Sequence, residues 1–273
     1  MLVNENKSVK NKLSEEPTNR KYIITMTFIV LLLIIWSATS VNFKGLEENS
    51  SVIGMRIIKG IINPDLTFLF DFSSAGVPYL LFETVSIAFL GTIIGALLAV
   101  PFAFISSTKI MPRPIAYIGR LLTMAVRTIP SLVYGLMFIR VSGPGPFTGV
   151  LTMAVISIGM VTKLYINAIE DLDTDIIDSL SSMGLTRFGQ IRYGILPQLY
   201  SSFISIVIYR FDMNLRDASV LGLVGAGGIG APLIFAMNAY RWNEVGSLLI
   251  GLVILVLLVE TFSNKVRTKL ARG

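Results

Sequence analysis

The stretch from Tyr79 to Ser106, YLLFETVSIAFLGTIIGALLAVPFAFIS, carries a single charged side chain, that of Glu83. A helix of about 20 apolar residues crosses a hydrocarbon core of roughly 30 Å, so this stretch predicts a membrane span. The chain of 273 residues is 53% hydrophobic and only 15% charged, whereas a soluble domain carries about 25% charged residues. The composition therefore predicts one membrane-embedded unit and excludes disordered, collagen-like and coiled-coil proteins.

Further apolar runs lie on both sides of this stretch. The run Tyr22–Val41 contains no charge and follows a polar leader. Its length favours an uncleaved anchor over a signal peptide, whose apolar core runs about 7–15 residues. Four later runs cover Ile115–Ile139, Phe147–Ile166, Leu199–Leu221 and Val245–Phe262. The sequence therefore predicts an all-α integral membrane protein with about six transmembrane helices.

The predicted spans divide the chain into regions. In chain order these are a cytoplasmic tail over 1–21, an anchor over 22–41, an extracytoplasmic segment over 42–78, a transmembrane core over 79–262 that includes a cytoplasmic loop over 167–198, and a second cytoplasmic tail over 263–273. Fourteen Lys and Arg residues fall on the side of the two tails and the long loop, and five fall on the other side. Because cytoplasmic loops carry an excess of basic residues, both termini are predicted to be cytoplasmic in a multi-pass protein of the cell's inner membrane. The net charge of +6 is then a topology signal in a lipid bilayer, and no nucleic acid partner is predicted.

The residue types present exclude most enzymatic sites. The chain has no His and no Cys, which excludes disulfides and thiolate metal sites and removes the commonest general base and metal ligand. Ser131 and Ser219 have no adjacent His or Lys to activate them as nucleophiles. We therefore predict no catalytic residue and no metal site, and interpret the chain as a protein that is not an enzyme.

A glycine-rich segment, Gly225–Gly230 (GAGGIG), fits the G-x-G-x-x-G pattern of dinucleotide-binding loops. Such a loop needs a strand before it and a helix after it in a soluble βαβ unit, but here membrane spans flank it and Pro232 follows closely. Irregular backbone at membrane depth is tolerated only where it is buried in protein or lines a wet cavity. We interpret the segment as a chain break on a substrate path, with four candidate residues, Gly225, Gly227, Gly228 and Gly230.

The long cytoplasmic loop contains an amphipathic pattern. Ile176, Ile177, Leu180 and Met183 recur at helical spacing, and Gly184 follows as a helix end. An interfacial helix that lies on lipid is the alternative, but such helices are rich in Lys and Arg and this one is acidic. The pattern therefore favours docking into the groove of a protein partner.

This loop resembles a known signature. Asp178, Gly184, Leu196 and Pro197 hold the spacing of the cytoplasmic-loop motif of ABC importer permeases, with Asp in place of the usual Glu and with Ser179-Leu180 in place of two alanines. Further segments closely resemble the phosphonate-type branch of these binding-protein-dependent inner-membrane components, whose members import phosphonates, phosphite or phosphate. These segments are RYGILPQ (192–198), YRFD (209–212), RDASVLGLVGAGGIG (216–230), RTIPS (127–131) and GPGPF (143–147).

The resemblance implies a type I ABC importer permease fold with a cytoplasmic coupling helix over 176–190. It implies a homodimer that works with two ABC ATPase subunits and one extracytoplasmic solute-binding protein. ATP and Mg would bind the ATPase, and this chain would bind no cofactor. The residues implied in coupling to the ATPase are Asp178, Met183, Gly184, Arg187, Leu196 and Pro197.

Ionisable residues within the predicted spans are further candidates for the translocation path, because charges in the membrane are costly and are functional or paired by default. The candidates are Arg127, Arg210, Asp212, Arg216 and Asp217. Arg210 and Asp217 are seven residues apart, and Asp212 and Arg216 are four apart and can pair directly. A structural ion-pair network is therefore one interpretation of this group. Arg127 shares a face with Arg120 and has no partner in its own helix, so the other interpretation makes it a weak electrostatic contact for an oxyanion.

Two alternative functions stay open from the sequence. One is a permease for another small solute such as methionine, because methionine importer permeases share a similar glycine-rich stretch. The other is a secondary transporter driven by an ion gradient, with Asp212 and Asp217 as proton sites, although the chain lacks a recognisable inverted repeat. Gly91 and Gly95 form a close-packing face, either within the chain or between two copies.

Overall fold

The computed structural model describes residues 20–40 and 50–272, which contain helices and no strand. These residues fall into two compact units, one ending at Gly54 and one beginning at Met55. The helices are α1 (Arg20–Ser40), α2 (Ser50–Ile62), α3 (Leu66–Leu69), α4 (Val77–Ser106), α5 (Arg113–Thr128), α6 (Ser131–Ser142), α7 (Pro146–Glu170), α8 (Thr174–Ser182), α9 (Arg187–Gln190), α10 (Leu196–Leu221), α11 (Gly230–Asn238) and α12 (Trp242–Arg272). Five helices are long and apolar enough to cross a membrane, and a sixth span results if the bent pair α5 and α6 is counted as one. The predicted all-α, roughly six-span architecture is confirmed.

Parts of the predicted tails and of the extracytoplasmic segment lie outside the described residues, namely 1–19, 41–49 and Gly273. Helix α1 covers the predicted anchor up to Ser40 and buries none of its residues. A helix that is apolar on every side and buries nothing in protein has the surface expected of a lipid-facing span.

The third predicted span, Ile115–Ile139, is not one continuous helix. Helices α5 and α6 meet at 83°, because Pro130 disfavours helical backbone at the residue before it. Ile129 is accordingly extended, with φ −84° and ψ 124°. The Tyr134 hydroxyl on α6 donates to the Val126 carbonyl oxygen on α5 at 3.1 Å, which satisfies an acceptor in the last turn of α5. The third predicted span therefore consists of two helices that are bent at Pro130.

Helices α4 and α7 form the central pair of the larger unit. A Cβ atom added at Gly95 would lie 2.5 Å from the Ser157 Cβ and 2.7 Å from the Ala154 carbonyl oxygen, and one added at Gly91 would collide with the Met153 Cβ. The glycines let the two backbones approach closely, as small residues do between membrane helices. The close-packing face predicted at Gly91 and Gly95 thus lies within the chain.

Helix α10 packs against both members of this pair, and α12 packs against α10. Toward the end of α4 the interior includes Tyr165, whose ring stacks on that of Phe203 with centroids 3.8 Å apart. Helix α12 continues without a break to Arg272, so the predicted last span and most of the predicted C-terminal tail belong to one helix. The stretch between the predicted spans Leu199–Leu221 and Val245–Phe262 also contains a short helix, α11.

The chain before α4 is held against the start of α12. The Asp65 backbone N–H donates to the Asn243 carbonyl oxygen at 3.2 Å, and the Ser247 hydroxyl donates to the Asp65 carbonyl oxygen at 2.8 Å. The Asp65 carboxylate caps α3, and its hydrogen bonds from the Thr67 hydroxyl and the Phe68 N–H hold the pKa of that carboxyl below its ordinary value. This part of the predicted extracytoplasmic segment is therefore ordered on the transmembrane core.

The close approach of α4 and α7 gives a first prediction. Gly95→Val places branched carbon atoms where Ser157 and Ala154 already lie, and overpacking of this kind costs about 1–3 kcal/mol. We expect a lower melting temperature for the detergent-solubilised protein, measured by the loss of its size-exclusion peak after heating. Gly54→Val is the matched control, because a Cβ at Gly54 meets nothing within 4 Å. Equal melting temperatures for the two variants would contradict the packing described here.

Candidate translocation path and coupling segment

The glycine-rich segment forms a chain break between α10 and α11. A single 3₁₀ turn, Gly222–Val224, follows α10. Gly225, Gly227 and Gly228 then adopt positive φ angles of 91°, 83° and 72°, a region that glycine enters at little cost. No strand lies among residues 20–40 and 50–272, so the nucleotide-binding interpretation has no structural support.

The chain break is held by α4. The Gly228 N–H donates to the Glu83 carboxylate at 3.1 Å, and the Ile229 N–H donates to the Thr84 hydroxyl oxygen at 2.9 Å. Thr84 is fully buried and donates in turn to the Leu80 carbonyl oxygen at 2.8 Å. We call these two contacts the α4 clasp. One feature of the sequence pointed to the α4 clasp: Glu83 is the only charged residue in its predicted span.

The turn between α6 and α7 holds the other side of the break. The Gly145 N–H donates to the Gly225 carbonyl oxygen at 2.9 Å. A Cβ at Gly149 would collide with the Ala226 carbonyl oxygen, so the first turn of α7 lies directly against the loop. Three of the four predicted glycines thus lie at one point between α4 and the start of α7, and the fourth, Gly230, begins α11.

Arg210 lies in a buried polar cluster that joins α10 to α4 and α7. Its side chain is 3% exposed, its Nε donates to the Ser157 hydroxyl at 3.2 Å, and its Nη2 is 3.8 Å from the Asp217 carboxylate. The Asn214 amide donates to the Ser157 and Thr92 hydroxyl oxygens at 2.7 Å each. Asn214, Ser157 and Thr92 are uncharged, so the sequence reasoning did not single them out.

Arg216 joins α10 to α12. Its guanidinium lies 2.9 Å from the Asp212 carboxylate and 3.2 Å from that of Glu260. The structure therefore contains the Asp212–Arg216 pair expected from the four-residue spacing. The pairing of Arg216 with Glu260 was not predicted. Glu260 lies on α12, and residues on separate helices have no fixed spacing in the sequence by which such a pair could be recognised.

The two arginines on the shared face of α5 have different environments. Arg120 pairs with the Glu170 carboxylate, and its Nε donates to the Ser106 carbonyl oxygen at 3.0 Å. Arg127 is exposed and forms no ion pair with any residue in the described part of the chain. Its Cγ lies against Gly159 of α7, where an added Cβ would be 2.8 Å away. Arg127 is thus a membrane-depth cation without an acidic neighbour among these residues.

The predicted coupling segment forms a helix, a turn and a second helix. Helix α8 ends at Met183, and Gly184 turns the chain with φ 79° and donates to the Ser181 carbonyl oxygen at 2.9 Å. Arg187 begins α9, which continues through a π-helical turn, Ile191–Ile195, into α10.

The other residues implied in coupling lie along this segment. Asp178 is exposed on α8, and Leu196 and Pro197 form the first turn of α10. The side chains of Met183 and Phe188 are 74% and 71% exposed. The segment therefore carries two large apolar side chains that no other described residue covers.

No group of three or more Asp and Glu side chains suited to a metal ion occurs within residues 20–40 and 50–272. Polar side chains and backbone amides from different helices instead meet in the hydrogen bonds and ion pairs described above. The arrangement is suited to holding irregular backbone and charge inside a membrane.

Residues 91–272 match the family described as binding-protein-dependent transport system inner membrane component. The chain belongs to this family. This permease is 32% identical over 188 residues to the phosphite transport system permease protein PtxC of Stutzerimonas stutzeri, a match that covers 68% of each chain. It is 34% identical over 204 residues to the phosphate-import permease protein PhnE of Mycolicibacterium smegmatis, covering 70% of this chain and 38% of that one.

A solved structure of the MetNI methionine ABC transporter in an inward-facing conformation contains a chain with the same fold. The TM-score is 0.62 at 18% identity, over 71% of this permease and 95% of that chain. The fold is that of the type I ABC importer permeases, as the resemblance implied. The predicted identity as a phosphonate-type ABC permease is confirmed, and so is its place as a multi-pass component of the inner membrane.

The α4 clasp gives a second prediction. Thr84→Val removes the acceptor of the buried Ile229 N–H, and an unpaired buried donor costs about 1–3 kcal/mol. We expect faster hydrogen–deuterium exchange in peptides that cover residues 225–230, measured by mass spectrometry on the purified permease. Ser86→Ala is the control, because the Ser86 hydroxyl only donates to the Phe82 carbonyl oxygen of its own helix. Unchanged exchange in Thr84→Val would show that the clasp does not stabilise the break.

Proposed function

We propose that this permease forms the passage of an ATP-driven importer for a phosphorus oxyanion such as phosphite, phosphate or a phosphonate. The names of relatives at 30% identity or more include phosphite, phosphate and phosphonate permeases, whereas the methionine transporter supports only the fold. Arg127 supports the proposal that the cargo is an anion, because its guanidinium presents a planar fork of donors that suits phosphorus-bound oxygens.

The observation that favours ATP-driven import over an ion gradient is the coupling segment. Met183 and Phe188 are large, apolar and exposed beside an acidic helix. An apolar side chain on a short helix outside the membrane is the kind of knob that fits a groove in a partner protein. A transporter driven by an ion gradient has no use for such a partner.

The proposed assembly contains two copies of this permease, two ABC ATPase subunits and one extracytoplasmic solute-binding protein. The chain has no Gly-x-x-x-x-Gly-Lys-Ser/Thr phosphate loop, so ATP and Mg are assigned to the ATPase and no cofactor to this chain. The excess of basic residues on the tails and the long loop supports cytoplasmic termini. In this orientation the coupling segment, residues 176–190, faces the ATPase.

Within the coupling segment, we assign Met183 to the ATPase groove and Gly184 to the turn that presents it. Asp178 and Arg187 flank this turn, and Leu196 and Pro197 join the segment to α10. Motion of the segment is then transmitted along α10 to the glycine break at its other end.

Within the membrane, we place Gly225, Gly227, Gly228 and Gly230 on the wall of the passage. The α10 charges are paired with one another or with Glu260, which supports a role in shaping this wall. Arg127 is the α5 group proposed to contact the anion. Such a contact must be weak, because conduction requires a cargo that leaves as readily as it enters.

The coupling assignment gives a third prediction. Met183→Asp places a charge on the apolar knob, so the ATPase should no longer remain with the permease. Tagged permease is purified from its native membrane in a mild detergent, and the proteins that accompany it are identified by mass spectrometry. Phe72→Asp is the control, because Phe72 is 82% exposed and lies on the opposite predicted side of the membrane. Wild-type permease purified alone, and moving an anion into liposomes without ATP, would contradict the importer and favour the secondary transporter.

A further inference from the structure

A second cation lies close to the point where Arg127 crosses α7. The Arg127 side chain passes over Gly159, and Val126 contacts the same glycine position from α5. Lys163 follows Gly159 by four residues, which puts it on the same face of α7, one turn further on. Lys163 is exposed, as Arg127 is. The seam between α5 and α7 therefore carries two positive charges in succession.

Arg127 and Lys163 differ from three other cations of the spanning helices. Arg120, Arg210 and Arg216 each pair with a carboxylate. Arg127 and Lys163 form no ion pair with a residue in 20–40 or 50–272. Cations at membrane depth are costly unless they are paired or face water or cargo. Unlike the three paired arginines, Arg127 and Lys163 are exposed cations whose charge is free to attract an anion.

The positions of Arg127 and Lys163 along their helices show which of the two lies nearer the coupling segment. Arg127 lies in the last turn of α5, beside the bend to α6, and Lys163 lies two turns before the end of α7 at Glu170. The chain continues from Glu170 into the coupling segment. Movement from Arg127 to Lys163 along the seam is therefore movement toward the side of the membrane that carries the coupling segment.

We infer that Lys163 is a second contact for the transported anion, which passes from Arg127 to Lys163 along the α5–α7 seam. This inference rests on the proposed function and adds a residue to its path. The two contacts differ in kind, since a guanidinium is a rigid fork of donors and an ammonium is a compact charge on a flexible stem. Charges one helical turn apart, on separate helices, let an oxyanion exchange one partner for the other. Each contact stays weak enough to release its cargo.

Gly159 is a positioning residue in this arrangement. With no side chain there, the Arg127 stem lies directly on α7, where an added Cβ would be 2.8 Å from the Arg127 Cγ. Helix α7 thus supplies both the second cation and the room for the first.

The test uses the complete transporter, with its ATPase and binding protein, reconstituted in liposomes and supplied with ATP and radiolabelled phosphite. Lys163→Met is expected to lower the uptake rate by about tenfold, the order of effect of one unit charge at a partly screened site. Lys163→Arg keeps the charge and is expected to retain most of the uptake. The matched control is Lys265→Met, an exposed lysine of α12 beyond the predicted span, which should transport as wild type does. Recovery of the ATPase with each variant is measured on the same preparations.

The outcomes separate the inference from the proposed function. Uptake by Lys163→Met at the wild-type rate would overturn the inference and leave the proposed function standing, because Lys163 would then only reach the membrane surface. Loss of the ATPase from Lys163→Met would also overturn it, since the lysine would then support assembly. A wild-type transporter that moves none of phosphite, phosphate and methylphosphonate with ATP would overturn both.

Discussion

The hydrogen bonds from α4 to the glycine break are the constraint on which the rest of the structure depends. Inside a bilayer no water is present to satisfy a backbone group that leaves a helix, so the protein must supply the partner. Glu83 and Thr84 do this for two consecutive amides of the break. The carbonyl oxygen of Gly225 is satisfied separately, by the amide of Gly145. Without these partners, the amides of Gly228 and Ile229 and the carbonyl oxygen of Gly225 would be unsatisfied where α10 ends.

The position of the clasp follows from the close packing of α4 on α7. Gly91 and Gly95 lie on the α4 face that contacts α7, two to three turns beyond Thr84. The same approach brings Thr92 and Ser157 near enough to share Asn214 of α10. One tight helix pair therefore supports both the glycine break and the buried polar cluster at Arg210.

Some charged side chains of the apolar helices are likewise paired with groups inside the protein. Three arginines of the apolar helices, Arg120, Arg210 and Arg216, have carboxylate partners, and two of these pairs tie α5 to α7 and α10 to α12. Such pairs stabilise little when they are exposed, but in a membrane they remove the cost of a lone charge. Arg127 and Lys163 depart from this pattern on a single seam. We interpret the departure as functional.

The spans, the end of the coupling helix at Gly184 and the chain break at Gly225–Gly230 could be predicted, because each depends on local composition or on one residue type. The 83° bend at Pro130 could not, since proline is tolerated in many membrane helices and does not by itself set the angle between two helices. Contacts between residues on different helices could not be predicted either. Glu83 and Gly228 are 145 residues apart, and no pattern in the sequence relates Glu260 to Arg216. Whether Gly91 and Gly95 face a neighbouring helix or a second copy depends on helix rotation, which the sequence leaves open.

The central claim is that the glycine break, which we propose as part of the wall of an ATP-driven passage, changes its exposure during the transport cycle. Because the chain contains no cysteine, Ala226→Cys would be its single thiol, at a position that is 1% exposed. The measurement is the rate at which a membrane-impermeant maleimide labels this thiol in the complete transporter, without nucleotide and in a trapped ATP-bound state. We predict that the rate changes strongly between the two states. Equal labelling in both states would contradict the claim.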